Sequence, residues 1–259
     1  VYCWRGGQRS GSFASILAQI GWRVETLEGG YRSYRRLVVN RLYEAMFPAP
    51  LVLLDGNTGT AKTALLGHLS RRGVQVLDLE GMAGHRGSAL GGQGAQPSQK
   101  AFESQLAQAV TALDSERPVV VEAESSRIGQ INLPSQLFQA MRAAPRIRIT
   151  APVEARAAYL CEAYSDLVQD TQALDERLTR LVRLQGHARV AEWRALAAAG
   201  AYQALAEDLI RCHYDPRYNR LRAAQDAASH RVDAKALTPD ALERVADEIA
   251  RALPDLVPT

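Results

Sequence analysis

Eight residues carry the clearest chemistry: Gly56-Asn57-Thr58-Gly59-Thr60-Ala61-Lys62-Thr63, placed after the apolar run Leu51-Val52-Leu53-Leu54 and ahead of a helical pattern. That order is the one a phosphate-binding P-loop requires. Successive backbone N–H groups at a helix N-terminus form a cradle for an anion. Gly56 and Gly59 let the backbone turn, Lys62 adds a mobile positive charge, and the Thr63 hydroxyl can reach a bound Mg²⁺. Ala61 stands where the G-x-x-x-x-G-K-[ST] pattern has its second glycine, so the loop must either avoid positive φ there or tolerate strain. Further phosphate-site candidates follow. Pro118-Val119-Val120-Val121-Glu122 ends a hydrophobic strand in a carboxylate that could order Mg²⁺ or water, with Glu124 and Arg127 close behind. His85 and Arg86 lie in a glycine-rich stretch after the second strand, where loops of an open α/β sheet border the ligand.

A second constellation is Cys3-Trp4-Arg5-Gly6-Gly7-Gln8-Arg9-Ser10, a cysteine followed by a glycine-containing loop and then a helix. Loop N–H groups and the helix dipole stabilise negative charge on sulfur, and Arg5 and Arg9 are expected to add to it, so the Cys3 pKa should fall below its free value. A C-x5-R loop of this kind suits either sulfur transfer or phosphoester chemistry. Cys161 and Cys212 sit in helical patterns without such company and read as packing residues. A polar-aromatic cluster, His213-Tyr214-Asp215-Pro216-Arg217-Tyr218, could stack on a nucleotide base or simply cap and pack a helix end.

The elements that must position these groups alternate. Strands are expected at Leu51–Asp55, Val74–Leu77, Pro118–Glu122 and Ile147–Thr150, with helices starting near Lys62, Ser98, Pro134 and Pro152; this is an α/β fold with a parallel sheet and helices on both faces. Residues 81–97 read as a ligand-facing loop. From Pro152 to about Ala228 the pattern is helical, an insertion or lid, before a strand at Arg231-Val232 and a helix over Pro239–Leu253. Upstream, Val1–Cys3 reads as the end of a buried strand, Ser12–Ile20 as an amphipathic helix with Phe13, Ile16, Leu17 and Ile20 on its apolar face, and Arg23–Leu27 as a short strand. Pro48 and Pro50 mark the boundary, giving domains 1–47 and 48–259.

At 259 residues and 47% hydrophobic content the chain can bury a substantial core. Its charge is nearly balanced, 31 basic against 28 acidic residues, but the first fifty residues hold seven arginines against Glu25, Glu28 and Glu44, a face that could meet nucleic acid. Three widely spaced cysteines offer neither a disulfide framework nor metal-ligand spacing, so no resident metal and no tightly bound cofactor are expected, and a reducing cytoplasm fits. No apolar run approaches a membrane span. The sequence opens on Val1 rather than methionine and reads as starting part-way through a larger protein.

Together the cysteine loop, Glu28-Gly29-Gly30-Tyr31-Arg32 and the P-loop resemble the tRNA 2-selenouridine synthase family, which joins a rhodanese-like domain to a P-loop domain. Asp78-Leu79-Glu80-Gly81 leading to His85-Arg86-Gly87-Ser88, Glu122 to Arg127 with Gly129, Gly186-His187-Ala188-Arg189-Val190 with Trp193, and His213-Tyr214-Asp215-Pro216 carry the same likeness. The resemblance implies that residues 1–47 are the C-terminal fragment of the rhodanese-like domain and that Cys3 is its essential cysteine. It also implies an activity: replacing sulfur by selenium in wobble 2-thiouridine of tRNA, from selenophosphate, by way of an S-geranylated intermediate made from geranyl diphosphate. Its partners would be such a tRNA and the enzyme that supplies selenophosphate. Two other readings of the residues stay open, a P-loop kinase or ATPase and a tRNA-binding module without full activity.

Overall fold

A computed structural model describes residues 1–88, 91, 95–222 and 230–257. Strands β1 (Leu51–Gly56), β2 (Gln75–Leu77), β3 (Val119–Glu122), β6 (Arg146–Thr150) and β7 (His230–Asp233) form one parallel sheet in the order β2-β3-β1-β6-β7. Strands β4 (Arg127–Ile128) and β5 (Ile131–Asn132) form a separate small hairpin. The four main strands fall where expected: β1 and β3 are apolar runs buried on both faces, as central parallel strands must be, while β6 alternates buried isoleucines with half-buried polar residues and β2 is half-buried at the sheet edge. Along β1 the residues alternate. Leu51 and Leu53 face a core with Val119, Val121, Phe102 and Leu106, while Val52 and Leu54 face one with Leu65, Leu69, Ile149 and Ile249.

Helices α1 (Gln8–Gln19) and α2 (Tyr31–Val39) precede the sheet. Helices α3 (Lys62–Arg71), α4 (Leu79–Ala83), α5 (Gln99–Thr111) and α6 (Ser135–Ala143) connect its strands. Starts are set by local chemistry: the Ser98 hydroxyl accepts from the Ala101 N–H at 3.2 Å, the Asp78 carboxylate from the Gly81 N–H at 2.7 Å, and Pro134 and Pro152 immediately precede α6 and the helix Val153–Ala163. The expected loop over 81–97 therefore begins inside α4; residues 89, 90 and 92–94 lie outside the described residues.

The helical region comprises α7 (Val153–Ala163), α8 (Ser165–Gln169), α9 (Thr171–Arg180), α10 (Val182–Gln185), α11 (His187–Ala198), α12 (Tyr202–Leu209) and α13 (Asp215–Arg222). It has a core of its own around Leu178, Trp193, Leu205 and Leu209, and α7 joins it through Ala157, Ala206 and Ile210. Residues 223–228 of the expected helical stretch lie outside the described residues. Helix α14 (Pro239–Leu256) returns to pack on the sheet beside α3.

The N-terminal expectations need correction. Val1–Cys3 and Arg23–Leu27 are not strands. They run alongside each other, with the Leu27 N–H donating to the Val1 carbonyl at 3.1 Å, but form no ladder. A β-prone run becomes a strand only where a neighbour satisfies its backbone along its length, and here only isolated bonds form among the described residues. Helix α1 does form, yet Phe13, Ile16 and Ile20 are 54%, 56% and 65% exposed, so its apolar stripe faces no core within the described residues. The segment is tied down instead by the Tyr31 N–H donating to the Cys3 carbonyl and by stacking of Trp4 on Tyr31 at 5.1 Å.

Candidate functional site

The P-loop bends over the C-terminal end of β1, where Gly56 closes the strand and Gly59 turns through φ +86°. A side chain at Gly59 would press on the Arg156 carbonyl and Leu160 of α7, so the close approach of that helix also calls for glycine. Ala61 takes the strained alternative, with φ 57° and ψ 29°, the one left-handed non-glycine residue among those described. Its methyl is 4% exposed and packs into the core beneath the sheet. Strain of about 1–2 kcal/mol is thus opposed by about 0.8 kcal/mol from burying one methyl group. Glycine at this position would also raise the entropy of the unfolded chain by about 0.4–1 kcal/mol. Ala61→Gly is therefore expected to leave stability within about 1 kcal/mol of the parent; a shift in the urea midpoint several times larger, in either direction, would show that the strain had been misjudged.

Beyond the loop lies a cavity of about 400 Å³, lined by Thr58 to Ala64, Glu80, Gly81, His85 to Ser88, Glu122, Tyr159, Leu160, Ala163, Tyr164 and Tyr218. The Lys62 ammonium donates to the Gly56 carbonyl at 3.0 Å. Burial works against its charge, but Tyr218 and the three glutamates around it outweigh that, so its pKa is raised and Lys62 is a cation at neutral pH. The Thr63 hydroxyl donates to Glu122 at 2.6 Å and lies 3.4 Å from Glu80. Glu80 and Glu122 are pushed up to about 8, in each case first by burial and then by a neighbouring carboxylate. Burial likewise raises Glu124.

The cavity gathers most of the residues singled out in the sequence. Gly59, Lys62, Thr63, His85, Arg86 and Glu122 line it, with Gly56 at its floor. His85 accepts from the Gly87 N–H at 3.0 Å, and burial lowers its pKa, so it is a neutral imidazole at pH 7. Arg86 lies 4.6 Å over the Tyr164 ring and pairs with Asp166 at 3.0 Å. Arg127 does not line the cavity. Its Nε donates to the Gly129 carbonyl at 2.7 Å on the β4–β5 hairpin, because the chain leaves the sheet at Ser125. Of the polar-aromatic cluster, His213 is buried, which lowers it to about 4, and packs against Trp193 and Tyr214; Tyr218 alone reaches the cavity.

Two contributors, Glu80 and Arg156, are not singled out as site residues in the sequence, and a third, Glu124, is noted there only as following Glu122. Glu80 and Glu124 follow the ends of neighbouring parallel strands, the placement that marked Glu122. Arg156 is 4% exposed on α7 and grips the loop. Its Nε and Nη2 donate to the Thr58 carbonyl at 2.9 and 2.8 Å, and its Nη1 and Nη2 to Asp215 at 2.9 and 2.7 Å. Asp215 also accepts from the Asn57 side chain at 2.7 Å. The Thr58 carbonyl is thereby turned toward α7.

Against this cavity lies an apolar slot between helices, lined by Leu160, Cys161, Tyr164, Leu167, Val168, Leu174, Tyr202, Leu205, Ala206, Leu209 and Tyr214. Thr58, Leu160 and Tyr164 border both spaces, so a polar cradle and an apolar trough meet at the P-loop.

The cysteine loop contributes nothing to either lining. Cys3 Sγ accepts from the Ser10 hydroxyl and from the Gly7 N–H, both at 3.3 Å. These bonds, the Ser10 one first, lower its pKa to about 6. Arg5 acts through its main-chain N–H, while its guanidinium, like that of Arg9, lies exposed. Cys161 and Cys212 are shifted the other way by burial. Alkylation by iodoacetamide should therefore show one fast thiol whose rate climbs through about pH 6 and is flat by pH 8. The fast phase should be lost in Cys3→Ser, and an inflection above pH 8 would contradict the hydrogen bonding described.

A family model described as the tRNA 2-selenouridine synthase AAA domain matches residues 49–177. Curated tRNA 2-selenouridine synthases align as well. That of Psychromonas ingrahamii is 36% identical over 172 residues, 66% of this chain and 46% of the relative. That of Chromohalobacter salexigens is 32% identical over 244 residues, 84% and 66%. That of Aeromonas salmonicida is 38% identical over 167 residues, 63% and 44%. The chain spans about half the length of most of these relatives. Among solved structures, a gluconokinase from Sinorhizobium meliloti 1021 covers 82% of this chain and 97% of its own at 14% identity and a TM-score of 0.33, too distant to bear on the site. With a matching domain model over the P-loop and the first part of the helical region and relatives that agree on one name, the chain belongs to the tRNA 2-selenouridine synthase family.

Proposed function

We propose that this chain carries the prenyl-transfer half of a tRNA-modifying transferase: it binds geranyl diphosphate and moves the geranyl group onto the sulfur of wobble 2-thiouridine, which is then exchanged for selenium from selenophosphate. The observation that carries the reading is the meeting of a phosphate cradle with an apolar slot at Thr58, Leu160 and Tyr164. A diphosphate head would sit on the loop N–H groups and Lys62, with the hydrocarbon tail between α7, α8 and α12. At about 70 Å³ the slot takes only part of a geranyl chain, so these helices must part as it enters.

In the transfer the thiouridine sulfur attacks C1 of the geranyl group, the C–O bond breaks with its electron pair leaving on diphosphate, and the ring N3 proton is lost. Lys62 and the loop N–H groups act by stabilising the charge that grows on the leaving group. Mg²⁺ fits beside them, since Glu122 Oε2 is fully buried with no hydrogen-bond partner and Glu122 Oε1 already meets Thr63; when bound it would neutralise diphosphate charge. Cys3, ionised at neutral pH, is assigned to the selenium step. The working partners would be tRNA bearing 2-thiouridine and a selenophosphate-supplying enzyme, in the cytoplasm. The exposed arginines of the first fifty residues would give tRNA binding a salt-dependent footing. No helix among the described residues is long and apolar enough to cross a membrane.

Nucleoside mass spectrometry of 2-thiouridine tRNA, incubated first with geranyl diphosphate and then with selenophosphate, tests the proposal. An S-geranylated nucleoside supports it, and subsequent selenouridine extends it to Cys3. Mg²⁺-dependent ATP turnover without tRNA and without either product would favour a kinase or ATPase instead. Retained tRNA binding with no product from any donor would leave a binding module.

A further inference from the structure

Three carboxylates converge where one would serve to position a phosphate-bound cation. Glu80 in the first turn of α4, Glu122 at the end of β3 and Glu124 two residues later each offer an oxygen, and all three oxygens lie within 4.8 Å of one another. A cation about 2.1 to 2.4 Å from each ligand spans about 4.2 to 4.8 Å across its shell, so one ion can reach all three oxygens. Thr63 adds a hydroxyl within 2.6 Å of Glu122 and 3.4 Å of Glu80. Independent of the clustering, Glu122 Oε2 is orphaned in a residue with 0% exposure that lines the cavity. A buried carboxylate oxygen without a donor is unfavourable, and a cation would satisfy it. With all three carboxylates ionised, as ion binding requires, the group carries three negative charges against the one positive charge of Lys62, and a divalent ion balances the remainder.

We infer that Glu80, Glu122 and Glu124, with the Thr63 hydroxyl, form a site for a Mg²⁺-sized divalent cation that fills without any phosphate ligand. All-oxygen donors suit hard cations such as Mg²⁺ and Mn²⁺. The cation arrives before the diphosphate and adds positive charge to the carboxyl wall that faces that group. The inference rests on the proposed diphosphate chemistry only for the cation's use, not for its binding.

The probe is Mn²⁺ alone, titrated into the protein without phosphate and followed by the loss of its free EPR signal. One bound Mn²⁺, displaced by Mg²⁺, is expected. Glu80→Gln and Glu124→Gln should each weaken it by about tenfold or more, while exposed Glu116→Gln leaves it unchanged. Melting curves establish that each variant is folded, and the titration of the unaltered protein decides the matter even where a variant is not. Mn²⁺ that stays free until inorganic diphosphate is added, or Gln variants that bind as the parent does, would overturn the inference. Calorimetry of inorganic diphosphate in EDTA separates the two readings. Binding there, with no Mn²⁺ site, would sink the cation and spare the cradle; a Mn²⁺ site in a protein that never binds diphosphate would do the reverse.

Discussion

Lys62→Ala is expected to remove diphosphate-dependent chemistry while leaving the protein folded. The ammonium is the mobile positive charge in the cavity wall, 3.0 Å from the Gly56 carbonyl, and its raised pKa keeps it charged at neutral pH. A unit charge at about 4 Å from a phosphate oxygen at the edge of a protein contributes up to about 4 kcal/mol before desolvation is subtracted. A loss of about 10²- to 10³-fold in affinity for inorganic diphosphate is therefore expected. The loss in geranyl transfer should be larger still, because charge on the leaving group grows in the transition state. Folding should survive, since the three glutamates around Lys62 are held toward their protonated forms by burial and by one another and can remain neutral without it. Lys62→Arg should not rescue, because the planar guanidinium cannot follow the curved path of the loop. The check is calorimetry with diphosphate alongside nucleoside analysis of the product. An alanine variant within about threefold of the parent in both would remove Lys62 from the site.

What could be read in the sequence follows from what is local. β1 and β3 announce themselves because each is an apolar run behind a proline, β6 because isoleucines alternate with polar residues behind Pro145, and α5 because Ser98 caps it. The P-loop, Lys62, Thr63 and Glu122 were legible for the same reason: one strand, one turn and one helix carry them. Pairing is not local. Val1–Cys3 and Arg23–Leu27 have the composition of strands but lack a ladder, and composition cannot supply the neighbour. Arg127 is five residues past Glu122 of the cavity wall yet leaves it, because Ser125 and Gly129 turn the chain into a hairpin. Glu80 carried a signal that went unread: it follows the end of β2 as Glu122 ends β3, and strands adjacent in a parallel sheet deliver such residues to one place. The slot was expected only as a property of the helical region, since its walls come from α7, α8, α9 and α12 and no single helix is apolar all round.

Arg156 shows the limit of sequence reading, because its partner stands 59 residues away and nothing in either segment points to the other. Truncating it is expected to destabilise the protein by about 3 kcal/mol, the lower end for breaking a buried pair. The lower end applies because Asp215 is 23% exposed and water can reach it once the guanidinium is gone. The Thr58 carbonyl loses both of its donors from that side chain at the same time, and a long side chain leaves a hole beneath the loop. The functional loss should exceed what unfolding explains. With Arg156 in place the Thr58 carbonyl is held toward α7 and Asn57 is fixed through Asp215, which ties the loop's geometry to the helical region forming the slot. Without it the loop must be ordered at the expense of binding energy, so diphosphate affinity should drop at least tenfold at temperatures where the variant is fully folded. Arg156→Lys keeps the charge but cannot bond both Thr58 and Asp215 in a fork, and should recover stability only in part. Urea unfolding and calorimetry on Arg156→Ala, Asp215→Ala and the double variant complete a cycle. If the pair acts as described, the double variant loses less than the sum of the singles; additive losses would mean that Arg156 supports the loop through Thr58 alone.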